Sequence, residues 1–146
     1  MHELRVVRER RVGYSTPRTP LRDSATVVAA FRDHFAALDR EQFVVILLDG
    51  KNRVLGFNVV SVGTLNASIV HPREVFKSAI ISNAAAMILV HNHPSGDPVP
   101  SAEDRAITQR LVAAGNLLGI RVLDHVVVGD DGRHFSFNDA GQLGDA

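Results

Sequence analysis

His91 and His93 stand two residues apart at the end of an apolar run, and Asp104 follows across a proline-rich stretch. Residues two apart in an extended strand point to the same face, so both imidazoles can aim at one point where strand becomes loop. The Asp104 carboxylate, in the first turn of the next helix, can reach that point once the loop folds back. Two histidines and one carboxylate leave a fourth tetrahedral position for water, the ligand pattern of a catalytic rather than a structural zinc. Zinc lowers the pKa of such a water to about 7 and polarises a carbonyl, which makes hydrolysis feasible at neutral pH. The same residues also have an ordinary reading. His-x-His is a common packing or surface pattern, and Ser101 with Asp104 three residues later is a capping box that needs no metal. Spacing alone leaves both readings open.

The chain that must position these groups has 146 residues, the size of one compact domain. Hydrophobic residues make up 45% and charged residues 22%, an ordinary globular balance without a signature of disorder, collagen or repeats. There is no cysteine. That excludes a disulfide framework and every thiolate-based zinc or nucleophile scheme, the cysteine-dependent nucleobase deaminases included, so a metal must be held by His, Asp or Glu. Sixteen basic residues cancel sixteen acidic ones, so no global field favours a polyanionic partner. Only the N-terminal arm is lopsided, with Arg5, Arg8, Arg10, Arg11, Arg18 and Arg22 against Glu3 and Glu9. A solvated arm or flanking strand explains this better than a nucleic-acid contact. No apolar segment resembles a leader or a membrane span, so the expectation is a cytoplasmic protein without membrane contact.

The apolar pattern predicts a helix from a Ser24 cap to about Leu38, carried by Val27 or Val28, Phe31 and Phe35. Phe43 to Leu48 and Arg53 to Ser61 read as a hairpin across Asp49-Gly50-Lys51-Asn52. Pro72 opens a second helix, with Val75, Phe76, Ala79 and Ile80 as its stripe and Asn83 as its end. Ala85 to Val90 is a short strand, His91 to Pro100 a loop, and Ser101 caps a third helix carrying Ile107, Leu111, Ala114 and Leu118. A strand from Arg121 to Val128 and a short one from His134 to Phe137 follow. The order predicts an α/β chain of the α+β type, a mixed β-sheet flanked by helices. It divides into an Arg-rich arm (1–23), the domain (24–140) and a tail (141–146). Val6, Val7 and Val12 stand among the charges, which predicts a partly ordered, extended arm able to add an edge strand to its own or a neighbour's sheet, a route to a homo-oligomer.

The run from His91 to Asp104 fills every fixed position of the JAMM signature: His-x-His, seven residues, Ser, two residues, Asp. With Gly63-Thr64-Leu65-Asn66, Val70-His71-Pro72-Arg73-Glu74, His91-Asn92-His93-Pro94-Ser95-Gly96, Pro100-Ser101 and Leu123-Asp124-His125, the chain resembles the JAB/MPN (JAMM) zinc metalloproteases, and among them the RadC branch most closely. The resemblance covers about residues 24 to 140. It implies a cytidine-deaminase-like JAB/MPN architecture and a zinc-dependent hydrolase cleaving a peptide or isopeptide amide in a peptide or protein substrate. It further implies His91, His93 and Asp104 as ligands of Zn2+, and Ser101 as the hydroxyl that steadies the tetrahedral oxyanion. A glutamate distant in sequence holds the water and carries its proton. Glu41, just before the first buried strand, stands where the family places this residue, and Glu74 of the Pro-Arg-Glu motif is the second candidate. Asp124 and His125 either orient a ligating histidine through its other ring nitrogen or are a plain polar interruption of the strand.

Two departures qualify the resemblance. Asn92 stands where the deubiquitinating members carry Ser or Thr, as is usual in the RadC branch, which argues against a ubiquitin-like substrate. Only the Arg-rich arm precedes the domain, where full-length RadC proteins carry a helix-hairpin-helix region, which weakens a DNA role. The alternatives are a non-catalytic JAB-like scaffold module and a DNA-associated accessory protein of the RadC family. His2, His34, His71 and His134 have no partner at metal spacing and read as surface or loop residues.

Overall fold

The computed structural model of the chain describes residues 1–3, 20–36, 38–63 and 70–144. The strand expected around Val6, Val7 and Val12 and the Thr64-Leu65-Asn66 part of the loop motif lie outside the described residues. No helix among the described residues is long and apolar enough to cross a membrane.

Helix α1 (Ser24–Ala36) buries Val27, Val28, Phe31 and Phe35, the spacing of one helical face. Its cap is Asp23 and not Ser24 as the sequence suggested: the Asp23 carboxylate accepts the Thr26 N–H at 2.7 Å. Either residue type can cap, and the Ser24 hydroxyl is drawn away to Asp139, to which it donates at 2.5 Å. Strands β1 (Gln42–Leu48) and β2 (Val54–Val62) form the expected hairpin. Asp49 shapes its turn by accepting from the Lys51 and Arg53 N–H groups at 2.8 and 2.9 Å. Helix α2 (Pro72–Ile81) starts on proline and is capped by the His71 ring, which accepts from Arg73 N at 3.2 Å. Asn83, with φ 55°, turns the chain after it.

Strand β3 (Ala86–Asn92) is buried along its whole length. Helix α3 (Ala102–Leu118) follows, then β4 (Arg121–Val128) and the short β5 (His134–Ser136). The sheet order is β2-β1-β3-β4-β5. Among the described neighbours only β3 and β4 pair in parallel, which the crossover through α3 allows. β1 and β3 are central and covered on both faces, which is why they read as continuous apolar runs rather than as alternation. Phe43, Val45, Leu47, Met87 and Leu89 pack against α2 and α3, with Leu143 of the tail partly buried beside them. Val44, Ile46, Leu48, Ile88 and Val90 pack against α1, together with Leu21. The domain is therefore a mixed five-stranded sheet between one helix and two.

This placement predicts that Leu89→Ala, a truncation at a fully buried central position, costs about 2–5 kcal/mol of stability. Urea unfolding measures it, and a loss under about 1 kcal/mol would contradict the packing described.

Candidate metal centre

β3 does not stop at Val90. Its ladder continues, His91 opposite Phe43 of β1 and Asn92 opposite Val128 of β4, and His93 N still donates to Val128 O at 2.9 Å. Hydropathy ended the strand early because its last two residues are polar, whereas backbone pairing is indifferent to side-chain polarity. His91 thus leaves the strand on the α3 side, in line with Met87 and Leu89, and His93 follows from the first loop position. Asn92 points to the other face.

On the α3 side three side chains converge. The Nε2 atoms of His91 and His93 are 3.0 Å apart. His91 Nε2 lies 3.2 Å from Asp104 Oδ1, and His93 Nε2 lies 3.1 Å from Asp104 Oδ2. Ligand atoms around a tetrahedral zinc with bonds of about 2.0 Å are about 3.3 Å apart, so these donors already sit near coordinating separation. All are nitrogen or carboxylate oxygen, the set zinc takes in the absence of thiolates. The residues fit the ion.

Asp104 is buried, and burial pushes its carboxyl up. The contacts from His91 and His93, the His91 charge and the Ser101 N–H at 2.8 Å outweigh that and hold it well below the usual carboxylate range. For His93 the contact with Asp104 is the main cause of a raised pKa. Burial opposes it, while the Asp97 carbonyl and the charges of Asp104 and Glu41 add to it. The loop carrying His93 is pinned to the β4–β5 turn. Gly96, at φ +89°, brings its carbonyl within reach of Asp130 N at 3.0 Å and Arg133 Nη2 at 2.9 Å, and a side chain on Gly129 would collide with it. Beside His93 opens a cleft of about 540 Å³ lined by Arg32, Phe35, Leu38, Asn92 and Asp130.

Glu41 comes to the same point from the strand before, with Oε1 3.9 Å from His93 Nε2. Ligand atoms of Glu41, His91 and His93 all lie within 4.8 Å of one another, and the Asp104 oxygens are nearer still to both histidines. Glu74 is elsewhere engaged: exposed in the first turn of α2, it takes the Lys77 ammonium at 2.8 Å, and that hydrogen bond lowers its pKa. Ser101 caps α3, its hydroxyl oxygen accepting the Asp104 N–H at 3.0 Å. That bond uses a lone pair and leaves the O–H as a donor.

Asn92 and Thr108 acquire places the pattern did not show, and His125 lies against His91, as one of the two readings left open for it expects. The Asn92 side chain continues the β1–β3 ladder beyond its backbone end, accepting from Gln42 N at 2.8 Å and donating to Arg40 O at 3.0 Å. It brackets Glu41, whose own carbonyl takes the Gly63 N–H at 2.7 Å. His125 is fully buried, with its Nε2 2.7 Å from His91 Nδ1 and its ring stacked on Phe137 at 5.0 Å. Burial first, and then the neighbouring His91, keep its pKa well below the ordinary histidine value. Thr108 backs it from α3, with Oγ 2.5 Å from His125 Nδ1. The sequence signal for Thr108 was a polar residue on the buried face of α3, one turn after Asp104. Asp124 is not aimed at the cluster. It accepts from Ser136 Oγ at 2.5 Å and Asn138 N at 2.9 Å, tying β4 to β5 and the turn after it, and burial raises its pKa.

His125 reaches this position through an irregularity in β4. Met87 pairs with Val122 and Ile88 with Asp124, so Leu123 is an extra residue that interrupts the alternation. A strand of the same length paired without this bulge would put His125 on the α1 face, opposite to Val122.

A mixed-sheet α+β domain here gathers two histidines and a carboxylate at the end of a central strand, a cluster whose atoms could hold one metal ion. Residues 21–142 match the family model described as RadC-like JAB domain, and the chain belongs to that family. A UPF0758 protein of Moorella thermoacetica is 51% identical over 134 residues, 92% of this chain and 58% of the relative. A UPF0758 protein of Geobacter sulfurreducens is 60% identical over 112 residues, and one of Methanosarcina acetivorans 58% over 102. These cover 75% and 70% of this chain, and 48% and 44% of the relatives. The chain spans about half the length of the curated relatives it matches.

Proposed function

We propose that the domain is a zinc-dependent hydrolase of the JAMM type, acting in the cytoplasm on an amide bond of a peptide or protein substrate. The observation that carries this reading is the convergence of His91 Nε2, His93 Nε2 and the Asp104 carboxylate at 3.0–3.2 Å beside Glu41. His91, His93 and Asp104 would hold the ion. Zinc, when bound, supplies Lewis acidity that acidifies water and polarises a carbonyl. The Glu41 carboxylate takes the proton of the attacking water and returns it to the leaving amine nitrogen. Ser101 O–H donates to the carbonyl oxygen as negative charge gathers there. The cleft lined by Arg32, Phe35, Leu38 and Asp130 meets the cluster at His93, from the α1 side of the sheet, and offers apolar and charged contacts to a substrate chain lying there.

The test is metal analysis of the purified protein followed by product profiling of a peptide library with and without a chelator. One zinc per chain and peptide products that vanish with the chelator are expected. Zinc at 100 times its Kd should also add about 2.7 kcal/mol to thermal stability. Failure to take up zinc would favour a scaffold module, and Mg2+-dependent cleavage of nucleic acid without peptide products would overturn the reading.

A further inference from the structure

We infer that the outer edge of β2 is the seat of the arginine-rich arm, which pairs with it antiparallel as a sixth strand of the chain's own sheet. The inference is independent of the metal reading. It rests on the two edges of the sheet and on where the chain enters the domain.

The order β2-β1-β3-β4-β5 leaves two outer strands among the described residues. A bare edge offers a row of unpaired N–H and C=O groups to another chain, and natural edges are blunted by shortness, charge, proline or bulges. β5 is blunted by length, with three residues. β2 is not. Its nine residues, Val54 to Val62, include neither a charge nor a proline. It has two bulges, at Leu55 and Val60, where the register with β1 skips from Val54 to Gly56 and from Val59 to Ser61. Between them Gly56 to Val59 pairs regularly with β1, and an uncharged run of this kind is a template for a further strand. Only Ser61 of the nine residues is buried. Phe57 and Val59 reach the core under α1, and Val60 reaches the core under α2 and α3, so both faces of β2 stand half-open. A strand laid alongside would close both layers at once.

Residues 4–19 have the composition for that place. From Leu4 to Thr16 there is no proline, and Val6, Val7, Val12 and Tyr14 are strand formers. Arg5, Arg8, Arg10 and Arg11, with Glu9, then stand on the outermost strand and supply the charged edge that β2 lacks.

The end of the segment fixes its direction. Leu21 is buried in the core under α1, and its N–H donates to Asn52 O of the β1–β2 turn at 3.0 Å. The arm therefore leaves the edge at the Val54 end. Tyr14 stands seven residues before Leu21, a reach of at most about 25 Å. The nine residues of β2 span about 27 Å before the turn is added. A parallel arm along this edge would finish beside Val62 and fall short of Asn52, whereas an antiparallel arm finishes where the chain is needed. Its first residues lie toward Val62 and Gly63, at the end of the sheet where Phe43 pairs with both Ser61 and His91.

The chain has no cysteine, so one introduced thiol carries one nitroxide. Arg5→Cys and Ser15→Cys are spin-labelled in turn on the full chain, and relaxation broadening of the β2 amides is read by nitrogen–proton correlation. The nitroxide at position 5 should broaden Ser61 and Val62, and that at position 15 should broaden Val54 and Leu55. Successive N–H groups of a strand point to opposite edges, so one of Arg11→Pro and Val12→Pro should lose the broadening from position 5, while Arg11→Thr and Val12→Thr keep it. Absence of broadening along β2 overturns the inference, as does the reversed order of the two positions or its survival in both proline variants. Nitroxide-bearing copies without isotope are also mixed with isotope-enriched copies free of nitroxide. Broadening of β2 that appears only in this mixture places the arm on a second copy and overturns pairing within one chain.

Discussion

Asp104→Asn yields a folded protein that no longer retains zinc. The amide keeps the size of the side chain and an oxygen for the Ser101 N–H, so the cap of α3, worth about 1 kcal/mol, is largely preserved. What it loses is the negative charge and the ligand strength of a carboxylate within 3.2 Å of both imidazoles. The loss of affinity should exceed the roughly 100-fold that an outer-shell change produces, and dialysis followed by metal analysis measures it. The metal-free protein supplies a second signature. His93 has a folded-state pKa raised above 6.5, chiefly by Asp104. A raised histidine pKa contributes stability that is fully present below the unfolded value and is lost as pH rises through the folded one. Asp104→Asn should therefore destabilise the metal-free protein more near pH 6 than near pH 9. Full zinc occupancy in the variant, or a stability difference independent of pH, contradicts the assignment.

Glu41→Gln does the reverse: zinc stays and hydrolysis goes. The amide cannot accept the water's proton, and removal of a positioned general base costs about 10²- to 10⁴-fold in rate. Glu41 is half-buried just before β1, beyond the end of the ladder, so stability should be nearly unchanged. Glu74→Gln should leave activity within about twofold, since its carboxylate is occupied by Lys77 on the surface. Asn92→Ala keeps the Glu41 carboxylate but removes the two hydrogen bonds that bracket it, and should give an intermediate loss of rate with zinc retained. Turnover of a peptide identified from the library, measured for all three variants at matched zinc content, is the check. Full activity in Glu41→Gln together with inactivity in Glu74→Gln would exchange the two roles.

The sequence carried the grouping of His91, His93 and Asp104 and most of the architecture because both rest on local spacing. His91, His93 and Asp104 belong to one strand–loop–helix unit, and the apolar stripes of α1, α2 and α3 repeat within single turns. The end of β3 was misjudged at Val90 because a buried polar strand terminus looks like loop when only hydropathy is read. The choice between Glu41 and Glu74 was open for another reason. It depends on β1 lying next to β3, a pairing between residues about fifty apart that no periodicity reports. Thr108 and His125 were harder still, since their meaning lies in which atom faces which. The cap of α1 shows a milder limit: Asp23 and Ser24 are both good caps, and the contact with Asp139 that occupies Ser24 is distant in the chain.

Leu123 is one residue too many for a regular β4, and the strand absorbs it as a bulge. In a reading frame of two it is a spare tooth. Taken out, Val122, Asp124 and His125 would pair with Met87, Ile88 and Leu89 in unbroken alternation, and His125 would still face α3. Exchanging it for another apolar residue leaves the frame intact as well. Forcing it into the ladder is what would send His125 toward α1 and present the Asp124 carboxylate to α3. For this strand the frame, not the length, decides which side chains meet at His91, and a graft of the cluster onto another sheet can leave the spare residue behind.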